Sequence, residues 1–109
     1  MSTRIYEVRH TQSSEYDLDG IFRYIAVDLC EPVIAANLLI TLDNAIGKLN
    51  EMPERYPLVS IPEFRNLGYR KMVVKDDYIV LYTIDETQRI VFVERVTNAR
   101  RDWIRLLLF

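Results

Sequence analysis

Between Tyr69 and Trp103 the chain alternates β-branched and aromatic residues in three runs with short polar breaks, a pattern that folds as an antiparallel meander. The first run, residues 69–75, closes at Asp76-Asp77, a polar pair of the kind that turns hairpins. The second, residues 78–84, has two alternating faces, Tyr78/Val80/Tyr82/Ile84 and Ile79/Leu81/Thr83, and nearly every side chain is apolar. A strand wetted on one side would alternate with charges, so this one is expected to be central and covered on both faces. After the polar turn Asp85-Glu86-Thr87-Gln88, residues 89–96 give a third strand, with Ile90, Phe92 and Val96 assigned to one face and Arg89 and Arg95 to the other. It runs into Asn98, Arg100-Arg101-Asp102 and Trp103, a basic corner.

The remainder reads as cover for that sheet. Residues 4–9 alternate well enough for a short edge strand. Thr11, Ser13 and Ser14 offer hydroxyls to a first helical turn, so a helix is expected from about Ser13, with Leu18, Ile21, Phe22, Ile25 and Leu29 on one face. Pro32 suits the first position of a second helix, whose stripe is Ala35, Leu38, Leu42, Ala45, Leu49 and Met52, widened by Leu39 and Ile46. Pro53 ends it, and the proline-punctuated residues 52–62 read as an extended loop. The last run, Ile104 to Phe109, is apolar enough to need burial, as a short helix on the sheet's second face or against another chain.

A chain of 109 residues, half of them hydrophobic, supports one domain spanning 1–109 with its own core. One cysteine, Cys30, and one histidine, His10, give neither a disulfide nor a metal-ligand spacing, so no metal is expected and a reducing, cytoplasmic setting fits. The three glycines, Gly20, Gly47 and Gly68, form no phosphate loop, and no cofactor is expected. No segment has the length or the flanks of a membrane span or an export signal. The net charge of −2 hides an asymmetry: residues 1–64 carry five basic and ten acidic side chains, a balance of −5, while residues 65–109 carry nine and six, a balance of +3. A basic end on an acidic chain implies a local site for an anion or an acidic protein segment rather than a nucleic-acid coat.

The order of elements, with Pro53-Glu54-Arg55-Tyr56-Pro57, Gly68-Tyr69-Arg70-Lys71, the run from Tyr78 to Asp85, and Arg95-Val96 followed by Arg100-Arg101-Asp102-Trp103, resembles the RelE/ParE superfamily of bacterial type II toxin-antitoxin modules, and within it the ParE-like branch. The fold the resemblance implies is α+β: a RelE-like fold with an N-terminal edge strand and an α-helical hairpin packed on an antiparallel β-meander, then a short C-terminal helix or tail. The implied activity is growth inhibition, with a cognate antitoxin as partner in a hetero-oligomer. ParE-like members act on DNA gyrase. RelE-like members cut messenger RNA on the ribosome, using lysines and arginines of the meander with a late tyrosine or histidine.

Here Arg70 matches one basic position, but Met72 stands at the second, Ile79 replaces an arginine, and Asn98, which cannot titrate, occupies the place of the late histidine or tyrosine. Gyrase inhibition is therefore the first expectation. Ribosome-dependent cleavage of messenger RNA, with Arg70, Arg100 and Arg101 as candidate catalytic residues, is the alternative, and an inert relative that keeps only antitoxin binding is a further one. The surface expected to meet target or antitoxin comprises Arg70, Arg95, Asn98, Arg100, Arg101 and Trp103.

Overall fold

The computed structural model of the protein describes residues 5–108. The expected first strand is β1 (Glu7–His10), Arg4 lying outside the described residues. Thr11 then turns the chain into α1 (Gln12–Arg23). Its hydroxyl accepts from the Ser14 amide as the N-cap and shares its own proton between the carbonyls of Val93 and Glu94. One side chain thus starts the helix and fastens it to the sheet.

Leu18, Ile21, Phe22 and Ile25 face the core as expected, but Leu29 is half exposed. The cause is a π-helical turn, Tyr24–Asp28, in which the Leu29 amide donates to Tyr24 five residues back at 3.0 Å. The wider turn shifts the helical phase and rotates Leu29 off the buried stripe. The next helix, α2 (Pro32–Gly47), carries Pro32 in its first turn and buries Ala35, Leu38, Leu42 and Ile46; Leu49 is buried in the 3₁₀ turn that follows. Met52 leaves the expected stripe. It precedes Pro53, whose ring disfavours the right-handed helical conformation there, and adopts a left-handed one at φ 47° with its side chain exposed.

The proline segment is more structured than an extended loop. Pro53–Arg55 forms a 3₁₀ turn, and Pro62 opens a short helix, α3 (Pro62–Asn66). Gly68, at φ 85°, supplies the left-handed residue that reverses the chain after α3. The meander follows as β2 (Arg70–Val74), β3 (Tyr78–Asp85) and β4 (Ile90–Asn98), and the chain closes with α4 (Trp103–Leu108). The sheet order is β1-β4-β3-β2, with β1 parallel to β4 and the other pairs antiparallel.

β3 is covered on both sides, as its composition requires. Val80 and Tyr82 join Leu42, Leu38, Tyr6 and Val93 beneath the helical hairpin, while Ile79 and Leu81 join Val59 on the outer face, under Trp103 and Leu107 of α4 and Phe64 of α3. β4 departs from simple alternation. Tyr82 pairs with Val93 and Leu81 with Arg95, so Glu94 is an extra residue in a β-bulge. The bulge resets the phase: Val91, Val93 and Val96 all face the hairpin, and the grouping of Val96 with Ile90 and Phe92 is corrected.

Two side chains hold the proline segment against the sheet. The buried Tyr82 hydroxyl donates to the Pro53 carbonyl, and Arg70 Nη1 donates to the carbonyls of Glu54 at 3.0 Å and Tyr56 at 2.7 Å. Tyr82→Phe leaves the Pro53 carbonyl without its donor in a dry site and is expected to cost about 1–2 kcal/mol. Burial also raises the Tyr82 phenol above its ordinary value of 10. The unfolded chain therefore loses this proton first as pH climbs, so the stability the phenol contributes is complete below pH 10 and is lost above it. Alkaline melts should show a shallower decline for the variant, reduced rather than abolished because burial raises Tyr69 and Tyr78 as well.

Candidate partner-binding site

The candidate arginines divide into two kinds. Arg95 is committed inside the molecule: Nε and Nη2 donate to the two oxygens of Asp17 at 2.8 and 2.9 Å, and Nη1 donates to the Leu106 carbonyl at 3.1 Å. The hydrogen bond to Asp17 raises its pKa further, against the opposing effect of burial. Asp17 Oδ2 also accepts from the Val96 amide at 2.9 Å, so one carboxylate joins α1, β4 and α4. Arg70, stapling the proline segment, pairs in register with Tyr82 and so lies on the hairpin side of the sheet. Lys71 points the other way, its Nζ 5.3 Å from the centre of the Trp103 ring.

Asn98, Arg100, Arg101 and Trp103 are gathered at one corner. The Asn98 side chain accepts from the Arg100 amide at 2.8 Å and its carbonyl accepts from the Arg101 amide at 3.0 Å, folding the chain from β4 into α4. Both arginines are exposed, and among the described residues neither guanidinium makes a hydrogen bond or ion pair. Arg70 does not belong to this corner. The register sets Asn98 beside Tyr78 and Val74, four residues along β2 from Arg70, or roughly 13 Å at the strand rise.

Above the corner the hairpin tip overhangs the end of the sheet and leaves a trough. One part, about 660 Å³, runs between Tyr16, Gly20, Tyr24 and Leu29 of the first helix and Val96 and Arg101 below. A second part, about 390 Å³, lies between Ile34 of α2 and Lys75 of the β2–β3 turn, and both parts are lined by Ile25 and Tyr78. A Cβ placed on Gly20 would meet no atom within 4 Å. Tyr24 is 56% exposed and Ile34 55%, so the roof is apolar and open, while the floor carries Lys75 beside Asp77 and Arg101 beside Asp17, whose charge is already taken by Arg95. Such a trough suits an amphipathic segment with one apolar and one acidic face. Of the residues expected at the surface, Asn98 and Arg101 line this trough; Lys75 is not among them, and the π-helical turn that leaves Leu29 exposed has no signature in the residue pattern.

His10 Nδ1 lies 3.1 Å from Ser14 Oγ beside the first helical turn. No group of three or more metal-ligating side chains occurs among the described residues, and no described helix is long and apolar enough to cross a membrane.

A helical hairpin stacked on one face of a sheet ordered β1-β4-β3-β2, with a short C-terminal helix on the other, is the architecture of the small RelE/ParE-type toxins. Residues 8–103 match the sequence profile described as the ParE toxin of the type II toxin-antitoxin system parDE, and the chain belongs to that family. Among solved structures it is similar to the chromosomal ParDE toxin-antitoxin system from P. aeruginosa, at 14% identity and a TM-score of 0.72 over 88% of this chain and 98% of that one. It is also similar to the toxin-antitoxin complex RelBE2 from Mycobacterium tuberculosis, at 23% identity and a TM-score of 0.63 over 92% of this chain and 98% of that one. No curated protein matches the chain in sequence.

Proposed function

We propose that this toxin arrests growth in the bacterial cytoplasm by inhibiting DNA gyrase and is neutralised by a cognate antitoxin seated in the trough beneath the hairpin tip. The observation that carries the choice of target is the scattering of its cations. Metal-free RNA cleavage needs several cations converging on one phosphate, with an acid and a base beside it. Arg70 and the Arg100–Arg101 corner are separated by roughly 13 Å of strand. Arg95 is held by Asp17, Lys71 lies over Trp103, and the outer face carries Glu94. Met72 and Ile79, which stand at two positions the nuclease reading would fill with cations, are buried in the core.

Purified protein added to gyrase should abolish supercoiling, and cellular messages should stay intact during the arrest that follows induced expression. Codon-positioned cuts in those messages with unimpaired supercoiling would replace this reading by the ribosome-dependent nuclease. Normal growth on expression would leave only antitoxin binding.

A further inference from the structure

The outer face of the sheet is only half covered. α4 and α3 close over Ile79 and Leu81, but beyond them a shallow groove of about 650 Å³ opens between Leu67 and Tyr69 on one flank and Phe92 and Glu94 on the other, with Thr83 in its floor and Glu86 at its end. Leu67 is 67% exposed. The carboxylate of Glu94 is held in place, its Oε2 accepting from Thr83 Oγ1 at 2.9 Å. Among the described residues it has no ion-pair partner; Arg9, level with Phe92 on β1, is paired with Glu7 at 2.7 Å. The Tyr69 phenol is raised by burial and then by the nearby charge of Glu94, which sets the two groups across the same groove. The bulge is what puts Glu94 here, and such irregularities are common beside binding sites.

The chemistry of the groove selects its occupant. A fixed, unpaired carboxylate repels phosphate backbones and attracts a cation, while an aromatic and aliphatic lining gains only from apolar side chains. We infer that this groove is where the toxin grips its protein target, accepting a segment in which a lysine or arginine, bound by Glu94, neighbours an apolar side chain lodged between Tyr69 and Phe92. The inference rests on the reading of the target as a protein. It assigns target and antitoxin to different ends of the molecule, since the trough beneath the hairpin tip shares no lining residue with the groove.

The test compares Phe92→Ala, Glu94→Gln and Glu94→Lys with the wild type for growth arrest on induced expression, for inhibition of purified gyrase, and for binding to the product of the adjacent antitoxin gene. Charge reversal should raise the concentration for half-inhibition about 100-fold and release growth, Phe92→Ala should raise it about 30-fold, and antitoxin affinity should stay within about threefold. Glu94→Gln keeps an acceptor for Thr83 and so separates charge from folding; its melting temperature should match the wild type. Full arrest by both Glu94→Lys and Phe92→Ala would overturn the proposal, as would a photo-crosslinker at Leu67 that captures RNA rather than gyrase. A wild type that arrests growth without touching gyrase would sink the gyrase reading alone, because the growth comparison still reports on the groove.

Discussion

Asp17→Ala should lower the unfolding free energy by about 2–3 kcal/mol, measured by denaturant or thermal melts. The carboxylate is 15% exposed and its partner Arg95 22%, so water screens the pair weakly. Removing Asp17 strands a desolvated guanidinium and leaves the Val96 amide without its acceptor, two costs from one substitution. Arg95→Ala should cost less, because Asp17 keeps its hydrogen bond from Val96. The double variant should be less destabilised than the sum of the two single ones, and strict additivity would show that the pair is decorative. The slope of the denaturant transition should stay the same, since the core beneath the hairpin is untouched.

The second large effect concerns neutralisation. Arg100→Glu with Arg101→Glu should weaken antitoxin binding about 100- to 1000-fold, because an acidic segment in the trough would meet a repelling charge at Arg101 and a second at the corner beside it, in place of attracting ones. The same cells should then fail to recover when antitoxin is co-expressed. Gly20→Trp tests the apolar side of the trough. Its new side chain projects into open space and is expected to spare the fold while obstructing the seat. Unchanged affinity in both variants, measured by calorimetry, would place the antitoxin elsewhere.

Most of the architecture was legible from the residues, for identifiable reasons. β3 is apolar on both sides, and only a central, doubly covered strand tolerates that. Pro32 marks the start of α2, and the joint before it makes the hairpin. Three features were hidden. The π-helical turn at Tyr24–Asp28 leaves no periodic trace, so helical spacing places Leu29 on a face from which one extra residue in the turn removes it. The bulge at Glu94 reset the phase of β4, placing Val96 with Val91 and Val93, and alternation cannot reveal an inserted residue. The signal for α3, Pro62 at a helix start, was present but sat among other prolines that suggest an extended chain.

The candidate site was half legible. Asn98, Arg100, Arg101 and Trp103 meet at one corner because they are close in sequence. Arg70 and Arg95 join them in the sequence by charge and by the family resemblance, and neither says which face a strand residue takes or which acid is waiting 78 positions upstream, as Asp17 is for Arg95.

β1 pairs with β4 only as far as Val93, so the rest of that central strand runs on with no neighbouring strand on that side. Unpaired borders recruit strands from other molecules, and proteins blunt them by covering or occupying the free backbone groups. Asp17 occupies the Val96 amide on that border and the Thr11 hydroxyl the carbonyls of Val93 and Glu94, and on the opposite margin of the sheet the carbonyl of Pro57 accepts from Lys71 of β2 while the amide of Val59 donates to Tyr69 just before it. Both margins of the sheet are thereby discouraged from pairing edge to edge with a second copy of the chain.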